Sequence, residues 1–272
     1  MTSPCATLRS GHSIPLVGLG TYKITGDQVA PAVDAALTAG YRLFDTAKYY
    51  HNEPELGAAL AEALPRHGLT RADVFLTTKF FPDKDDVAAK AKGHVEESLR
   101  NLKTEYLDLV LIHYPKSDDR ANDDLQNAES RKEIYQELER LKADGLIRSI
   151  GVSNYEVRHI EEIKAFGKEM PEVNQVEFHP HFTRNDIREY CKKEGIFFQA
   201  FTSLGRQHPD LIGDSDVVAI AQDKGTTPQL VLLAWAVALG VLEVSLTAEE
   251  ATRLVAKDRN KNYTRCDGWN VL

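Results

Sequence analysis

Cysteine is scarce: Cys5, Cys191 and Cys266 are the only three among 272 residues. An odd number so widely spaced builds neither a disulfide framework nor a Cys-x-x-Cys zinc pattern, and it points to a reducing compartment, the cytoplasm. Long apolar runs are missing as well. No uncharged stretch nears the roughly 18–20 residues needed to cross a bilayer, and the opening MTSPCATLRS lacks the apolar core of a secretion signal. No membrane association is therefore expected. Positive charge is in the minority: 33 Lys plus Arg stand against 41 Asp plus Glu, a net charge of −8. That argues against a nucleic-acid binder with a broad basic face. What remains is ordinary globular material, 42% hydrophobic and 27% charged, which excludes wholesale disorder and a collagen-like repeat. The length suits a single domain over residues 1–272, since α/β barrels of about 250 residues fold as one unit.

Short aliphatic runs alternate with amphipathic segments. The strand candidates are residues 14–19, 41–46, 74–79, 107–113, 147–153, 173–178, 196–201 and 241–246. Most are continuously apolar, as strands buried on both faces of a parallel sheet must be. Helical spacing is clearest at 133–142, where Ile134, Leu138 and Leu141 form one stripe, and recurs at 157–165 and 187–193. Gly40, Gly145, Gly195 and Gly240 each follow a helical pattern and precede a strand, where a left-handed residue ends a helix. Eight such βα units predict a (β/α)8 TIM barrel, class α/β. An open dinucleotide-binding sheet is the competitor, but Gly18-Leu-Gly20 continues as Thr21-Tyr22-Lys23 and lacks the third glycine. The one long polar connection, 115–131, reads as a solvated loop or as a flexible wall beside a site.

In a barrel, chemistry gathers at the C-terminal ends of the strands. Asp45 closes the second candidate strand, Lys79 the third and His113 the fourth, with Tyr50 five residues after Asp45. A charge closing a buried strand is costly unless paired or facing a site. An ammonium near a tyrosine favours the phenolate. A lysine oriented by Asp45, with an imidazole to hold a substrate oxygen, would make Tyr50 a proton donor to that oxygen. Spacing alone is equally compatible with a structural Asp45–Lys79 ion pair and a core histidine.

The motifs GLGTYK (18–23), DTAKYYHNE (45–53), TTK (77–79), SLRNL (98–102), LDLVLIHYP (107–115), GVSN (151–154), NQVE (174–177) and QAFTSLG (199–205) together resemble the aldo-keto reductase family, NADPH-dependent carbonyl reductases with a (β/α)8 fold. The resemblance implies reduction of aldehydes or ketones by a monomer. Tyr50 matches the general acid, Lys79 the residue that lowers its pKa, Asp45 the partner of the lysine, and His113 the imidazole that orients substrate. Ser153, Asn154 and Gln175 match the contacts to the nicotinamide carboxamide. Phe201 stands where the family usually stacks a tyrosine on the nicotinamide ring, and its aromatic face serves as well. Thr202, Leu204 and Gly205 lie in the loop that crosses the pyrophosphate. Gly20, Thr21, Tyr22 and Lys23 match the first βα loop. Tyr22, Tyr50, His113 and Tyr114 match the substrate pocket, Tyr22 and Tyr114 at positions that are often tryptophan.

One segment departs from the family. After Gly240 the family continues with a strand and turn whose lysine and arginine grip the adenosine 2′-phosphate. Here VLEVSLTAEE (241–250) runs straight on, as if several helical turns had been removed between Leu242 and Glu243. The departure implies a reduced preference for NADPH over NADH. It also keeps a second reading open, a reductase-like protein with impaired cofactor binding and little catalysis. Thr247 followed by Glu249 and Glu250 predicts the start of a helix. The tail from 260, with Tyr263 and Trp269, resembles the loop over the family's substrate mouth, and Trp269 receives no role. A metal-dependent hydrolase is a third reading, with His113, His179, His181, Glu177 and Asp45 as possible ligands. No strand end carries a zinc-binding spacing, so no metal is expected.

Overall fold

A computed structural model describes residues 4–237, 246–264 and 271–272. Gly240, the junction of Leu242 with Glu243, Cys266 and Trp269 lie outside them, as does the expected eighth strand apart from Leu246. The strands are β1 (Cys5–Thr7), β2 (Ser13–Pro15), β3 (Gly18–Gly20), β4 (Leu43–Asp45), β5 (Phe75–Phe80), β6 (Leu107–Ile112), β7 (Ile147–Ser153), β8 (Val173–Glu177) and β9 (Phe197–Phe201). The helices are α1 (Val29–Thr38), α2 (Glu53–Arg66), α3 (Val87–Asn101), α4 (Gln126–Ala143), α5 (Val157–Phe166), α6 (Asn185–Glu194), α7 (Pro209–Ile212), α8 (Ser215–Asp223), α9 (Pro228–Val237) and α10 (Ala248–Val255). A parallel sheet runs in the order β3-β4-β5-β6-β7-β8-β9, with β1 and β2 as a separate antiparallel pair. Strand-helix alternation around such a sheet is the (β/α)8 plan. Among the described residues no helix is long and apolar enough to cross a membrane.

The chain forms two compact units, Met1–Asn174 with Gly195–Phe197 and Gly268–Leu272, and Gln175–Glu194 with Phe198–Asp267. In the first, β5 and β6 are buried along their whole length, including the polar Thr77, Thr78, Lys79 and Asp108. Leu8, Ile14, Leu43, Phe75, Leu109, Leu111 and Val173 fill one core cluster. In the second unit Phe178, Leu211, Val217, Ile220, Val231, Leu232, Trp235 and Leu254 form another, and Phe178 stacks on Trp235 with centroids 4.4 Å apart.

Two expected elements differ from those observed. The run at 14–19 is two strands. Pro15 ends the antiparallel β2, and β3 begins at Gly18 in parallel register with Leu43. A side chain at position 18 would collide with that of Leu43, so the sheet needs glycine where the change of partner occurs. The connection at 115–131 is not loop throughout. α4 starts at Gln126, seven residues before the apolar stripe becomes visible. Asp124 Oδ1 accepts the Gln126 N–H (2.8 Å), and the buried Asn127 donates to the Ala121 carbonyl (2.9 Å). Local turn bonds of polar side chains thus accompany the helix start where hydrophobic spacing is silent, and Leu125 at the N-cap contributes no side-chain bond. The helix expected after Thr247 is present. Thr247 and Glu250 form a capping box at the start of α10. Gly40, Gly145 and Gly195 have φ of +89°, +82° and +68°.

The last two residues are fastened to the first unit. Arg131, fully buried, donates to Glu162 (2.7 and 2.6 Å), the Pro115 carbonyl and the Leu272 carbonyl. His159 Nε2 donates to the Val271 carbonyl (2.7 Å), while its Nδ1 accepts the Glu156 N–H (3.1 Å). Burial, aided by the Arg131 charge, holds the His159 pKa down to about 3. In the unfolded chain the same imidazole titrates near ~6.5. Protons therefore bind the unfolded chain preferentially, and the stability this residue contributes is lost as pH falls below that value. Urea unfolding at pH 7 and pH 5 should show a loss for the wild type about 2 kcal/mol larger than for His159→Gln. Equal losses would remove His159 from the account.

Candidate functional site

The first unit gathers the ionisable residues that close successive strands. Gly20 pairs with Asp45, Asp45 with Thr77, and Lys79 with Leu111 across the sheet. This register sets the ends of β3 to β6 side by side. Lys79 is 1% exposed. Its Nζ donates to Asp45 Oδ1 (2.5 Å) and to the Thr46 carbonyl (2.9 Å). A buried ammonium without such partners would be several kcal/mol unfavourable. Burial alone would depress the lysine, but Asp45 and Tyr50 outweigh it and hold its pKa above the ordinary value.

Tyr50 rides on the helical turn Lys48–Tyr50, its N–H bonded to the Ala47 carbonyl. Lys79 Nζ lies 4.9 Å from its ring centroid. The Tyr50 ring meets His113 edge-on at 6.0 Å and lies 5.0 Å from the ring of Tyr22. Burial raises the phenol pKa, the charge and hydrogen bond of Lys79 pull it back, and the net displacement is upward. The expectation that Lys79 leaves the phenol more acidic than usual is corrected here: the lysine acts in the expected direction, but desolvation of the phenolate is the larger effect. His113 is held well below the ordinary imidazole value by burial and by the Lys79 charge, so its ring is neutral, and its Nδ1 is buried without a partner.

The surrounding wall is aromatic. Tyr22 is 41% exposed, and the ammonium of Lys23, itself at φ +66°, lies 5.6 Å from its ring centroid. Phe81 packs 4.5 Å from His113 and 6.2 Å from the buried Tyr114. Phe81 was not anticipated from the sequence; an aromatic two residues beyond the strand-closing lysine was the available signal. Ser153 closes β7 and Asn154 follows it. Asn154, at φ +62°, donates to the His113 carbonyl (3.0 Å) and to Ser153 Oγ (3.1 Å), which ties this pair to the histidine.

In the second unit Gln175 is buried and donates to Gln199 Oε1 (2.9 Å). Phe201 ends β9, and Thr202 follows at φ +52°. Leu204 (φ −91°, ψ 6°) and Gly205 (φ +54°) form a tight turn in which the Gly205 N–H bonds the Thr202 carbonyl (2.8 Å). Tyr263 packs against this loop. Its ring stacks on His208 at 4.4 Å and lies where a Cβ at Gly205 would meet it. Glu177 accepts the N–H groups of Tyr263 (2.5 Å) and Thr264 (3.2 Å), the Thr264 hydroxyl, and His179 Nε2 (2.9 Å). His181 bonds Asp214 and the Tyr263 hydroxyl. Among the described residues no group of three His, Cys, Asp or Glu is arranged to hold a metal.

The residues present fit a dinucleotide cofactor. Ser153 and Asn154 in the first unit and, separately, Gln175 in the second carry hydroxyl or amide groups with the mixed donor and acceptor chemistry that a carboxamide requires. The part of the chain where 2′-phosphate cations are expected lies outside the described residues.

Comparison with known proteins identifies the family. The Aldo/keto reductase family profile matches residues 16–210. The human aldo-keto reductase family 1 member A1 is 35% identical over 302 aligned positions, covering 97% of this chain and 92% of that protein. Since 97% of 272 residues is about 264, roughly 38 of those positions have no residue of this chain opposite them. Glyoxal reductase of Bacillus subtilis is 35% identical over 244 positions, 89% of this chain and 82% of that protein. The structure of a Bombyx mori aldo-keto reductase in complex with NADP superposes with a TM-score of 0.86 at 29% identity, covering 99% and 97% of the two chains. The aldose reductase of Schistosoma japonicum gives 0.85 at 29%, with 98% and 96% covered. The chain belongs to the aldo-keto reductase family and is an NAD(P)H-dependent oxidoreductase by that membership.

Proposed function

We propose that this protein reduces aldehydes and ketones to alcohols, with Tyr50 delivering the proton. The observation that carries the reading is the buried Lys79, fixed by Asp45 and set against the ring of Tyr50 beside a neutral His113. Bound NADPH supplies the hydride. Ser153, Asn154 and Gln175 would hold its carboxamide, Phe201 its ring face, and Thr202, Leu204 and Gly205 its pyrophosphate. The loop Gly20, Thr21, Tyr22 and Lys23 would border it.

The carbonyl oxygen of the substrate accepts a hydrogen bond from the neutral His113 and faces the Tyr50 hydroxyl. As negative charge grows on that oxygen, the phenol proton moves to it. The Lys79 ammonium offsets the charge left on the phenolate, and Asp45 keeps that ammonium in place. At neutral pH the phenol carries its proton, and the Lys79 ammonium offsets part of the cost that burial imposes on the phenolate left behind. Tyr22, Phe81 and Tyr114 exclude water and suit a small-molecule carbonyl. The names of the relatives, a glyoxal reductase and an aldose reductase among them, favour small aldehydes. On the same reading the protein works as a monomer in the cytoplasm.

The sequence departure after Leu242 supports a shortened segment there and, with it, the loss of cations for the 2′-phosphate. Charge-assisted hydrogen bonds of that kind contribute about 1.5–3 kcal/mol each. This favours an active reductase with weakened discrimination. Loss of all cofactor binding is the competing outcome.

Tyr50→Phe should lower kcat for a small aldehyde by about 10²–10⁴-fold while NADPH still quenches protein fluorescence; undiminished turnover would refute the assignment. Because His113 is already neutral, kcat/KM should show no break near ~6.5 that disappears in His113→Gln. Titrations with both dinucleotides should give an NADPH-over-NADH preference below several hundred-fold, or ~3.5 kcal/mol; a larger preference would show that another grip on the 2′-phosphate exists.

A further inference from the structure

Around Lys79 the hydrogen bonds close into a ring that no single motif contains. Lys79 Nζ donates to Asp45 Oδ1 and to the Thr46 carbonyl. The Asp45 carbonyl accepts the N–H (2.9 Å) and the hydroxyl (3.1 Å) of Thr21. The Thr21 carbonyl accepts a hydrogen from Asn52 Nδ2 at 2.8 Å, and so does the Ile24 carbonyl at 2.8 Å. Thr46 Oγ1 donates to Asn52 Oδ1 at 2.7 Å, which returns the path to Lys79 through the Thr46 peptide. Asn52 and Thr46 are 0% and 1% exposed.

The place of Asn52 in the chain sharpens the point. It immediately precedes α2, where an asparagine normally turns its side chain back to accept the helix N–H groups. This one makes no such bond. Only its backbone carbonyl joins the helix, accepting the Leu56 N–H (2.9 Å). The side chain faces away, toward the loop carrying Tyr22 and the turn carrying Tyr50. Two donors and one acceptor in a plane are what an amide provides. An aspartate in the same volume would oppose a carboxylate to two carbonyl oxygens.

We propose that Asn52 is a positioning residue of the reductase: it joins the loop of Tyr22 to the turn of Tyr50 and, through Thr46, fixes the peptide that orients Lys79 against the Tyr50 ring. The proposal rests on Tyr50 as proton donor, and its prediction is specific. Releasing Thr46 loosens one of the two acceptors of Lys79, so the lysine attracts the phenolate less well, while the cofactor contacts at Ser153, Asn154 and Gln175 are untouched.

The experiment uses Asn52→Ala, Asn52→Asp, and the milder pair Thr46→Val and Thr46→Ser, since Thr46→Val removes only the hydroxyl that donates to Asn52. Three quantities are read on each full-length variant: kcat with a small aldehyde, the NADPH dissociation constant, and the Tyr50 pKa from ultraviolet difference titration against Tyr50→Phe. Asn52→Ala should lose about tenfold or more in kcat and Thr46→Val about threefold or more. Both should raise the Tyr50 pKa by about half a unit or more and be matched by wild-type behaviour in Thr46→Ser. Thr46→Val, which leaves the Asn52 bonds to the Thr21 loop in place, should also keep the NADPH dissociation constant within about twofold. If Thr46→Val titrates and turns over like the wild type, or if its kcat and cofactor affinity fall together, Asn52 is structural and the proposal is wrong. A wild type that binds NADPH but reduces no carbonyl would overturn the reading of Tyr50 itself, and the phenol titration of Thr46→Val would still decide whether Asn52 acts on Lys79.

Discussion

A single ion pair, the Lys79 ammonium on the Asp45 carboxylate, holds the chemistry of this molecule together. Lys79 is fully enclosed at the end of an apolar strand, a position hostile to charge. It stays charged because a carboxylate and a peptide carbonyl replace the water it has lost. Two neighbours, Tyr50 and His113, are tuned by that charge. It draws the phenol of Tyr50 against the pull of burial, and it adds to burial in keeping His113 neutral. Removing one partner would strand the other, which is why such pairs are costly to break even where they contribute little net stability.

Much of this was legible in the chain. β5, β6 and β7 were visible because strands covered on both faces are rich in aliphatic and β-branched residues, and Asp45, Lys79 and His113 were visible because each charge or imidazole stands at the end of such a segment. Positions set by capping or by a change of sheet partner left no periodic signal. The early start of α4 at Gln126 depends on Asp124 and Asn127, and the division of residues 14–19 into β2 and β3 depends on Pro15 and Gly18. The direction of the Tyr50 displacement was also beyond reach. It is a difference between two opposed effects, and only coordinates show how far the ring is buried. Asn52 was hidden for a related reason. Its composition says helix cap, while its side chain serves two loops instead.

The same contrast runs through the second unit. Its helices α8, α9 and α10 converge on an ordinary aliphatic core around Trp235 and Leu254, as their spacing implies. Its polar interior does not follow from spacing. Glu177, His179, His181 and Asp214 are consumed by one another and by the tail residues Tyr263 and Thr264, which leaves a set of metal-binding residue types engaged as hydrogen-bonding groups.

The grip of Glu177 on the tail ties a late stretch of the chain to the end of a strand. Its carboxylate receives the backbone N–H groups of Tyr263 and Thr264 and the Thr264 hydroxyl. Three donors converging on one side chain specify where those two residues sit by local chemistry. The stacking of Tyr263 on His208 is therefore anchored from β8, and a neutral apolar residue at 177 would leave two buried-facing amides and a hydroxyl seeking new partners.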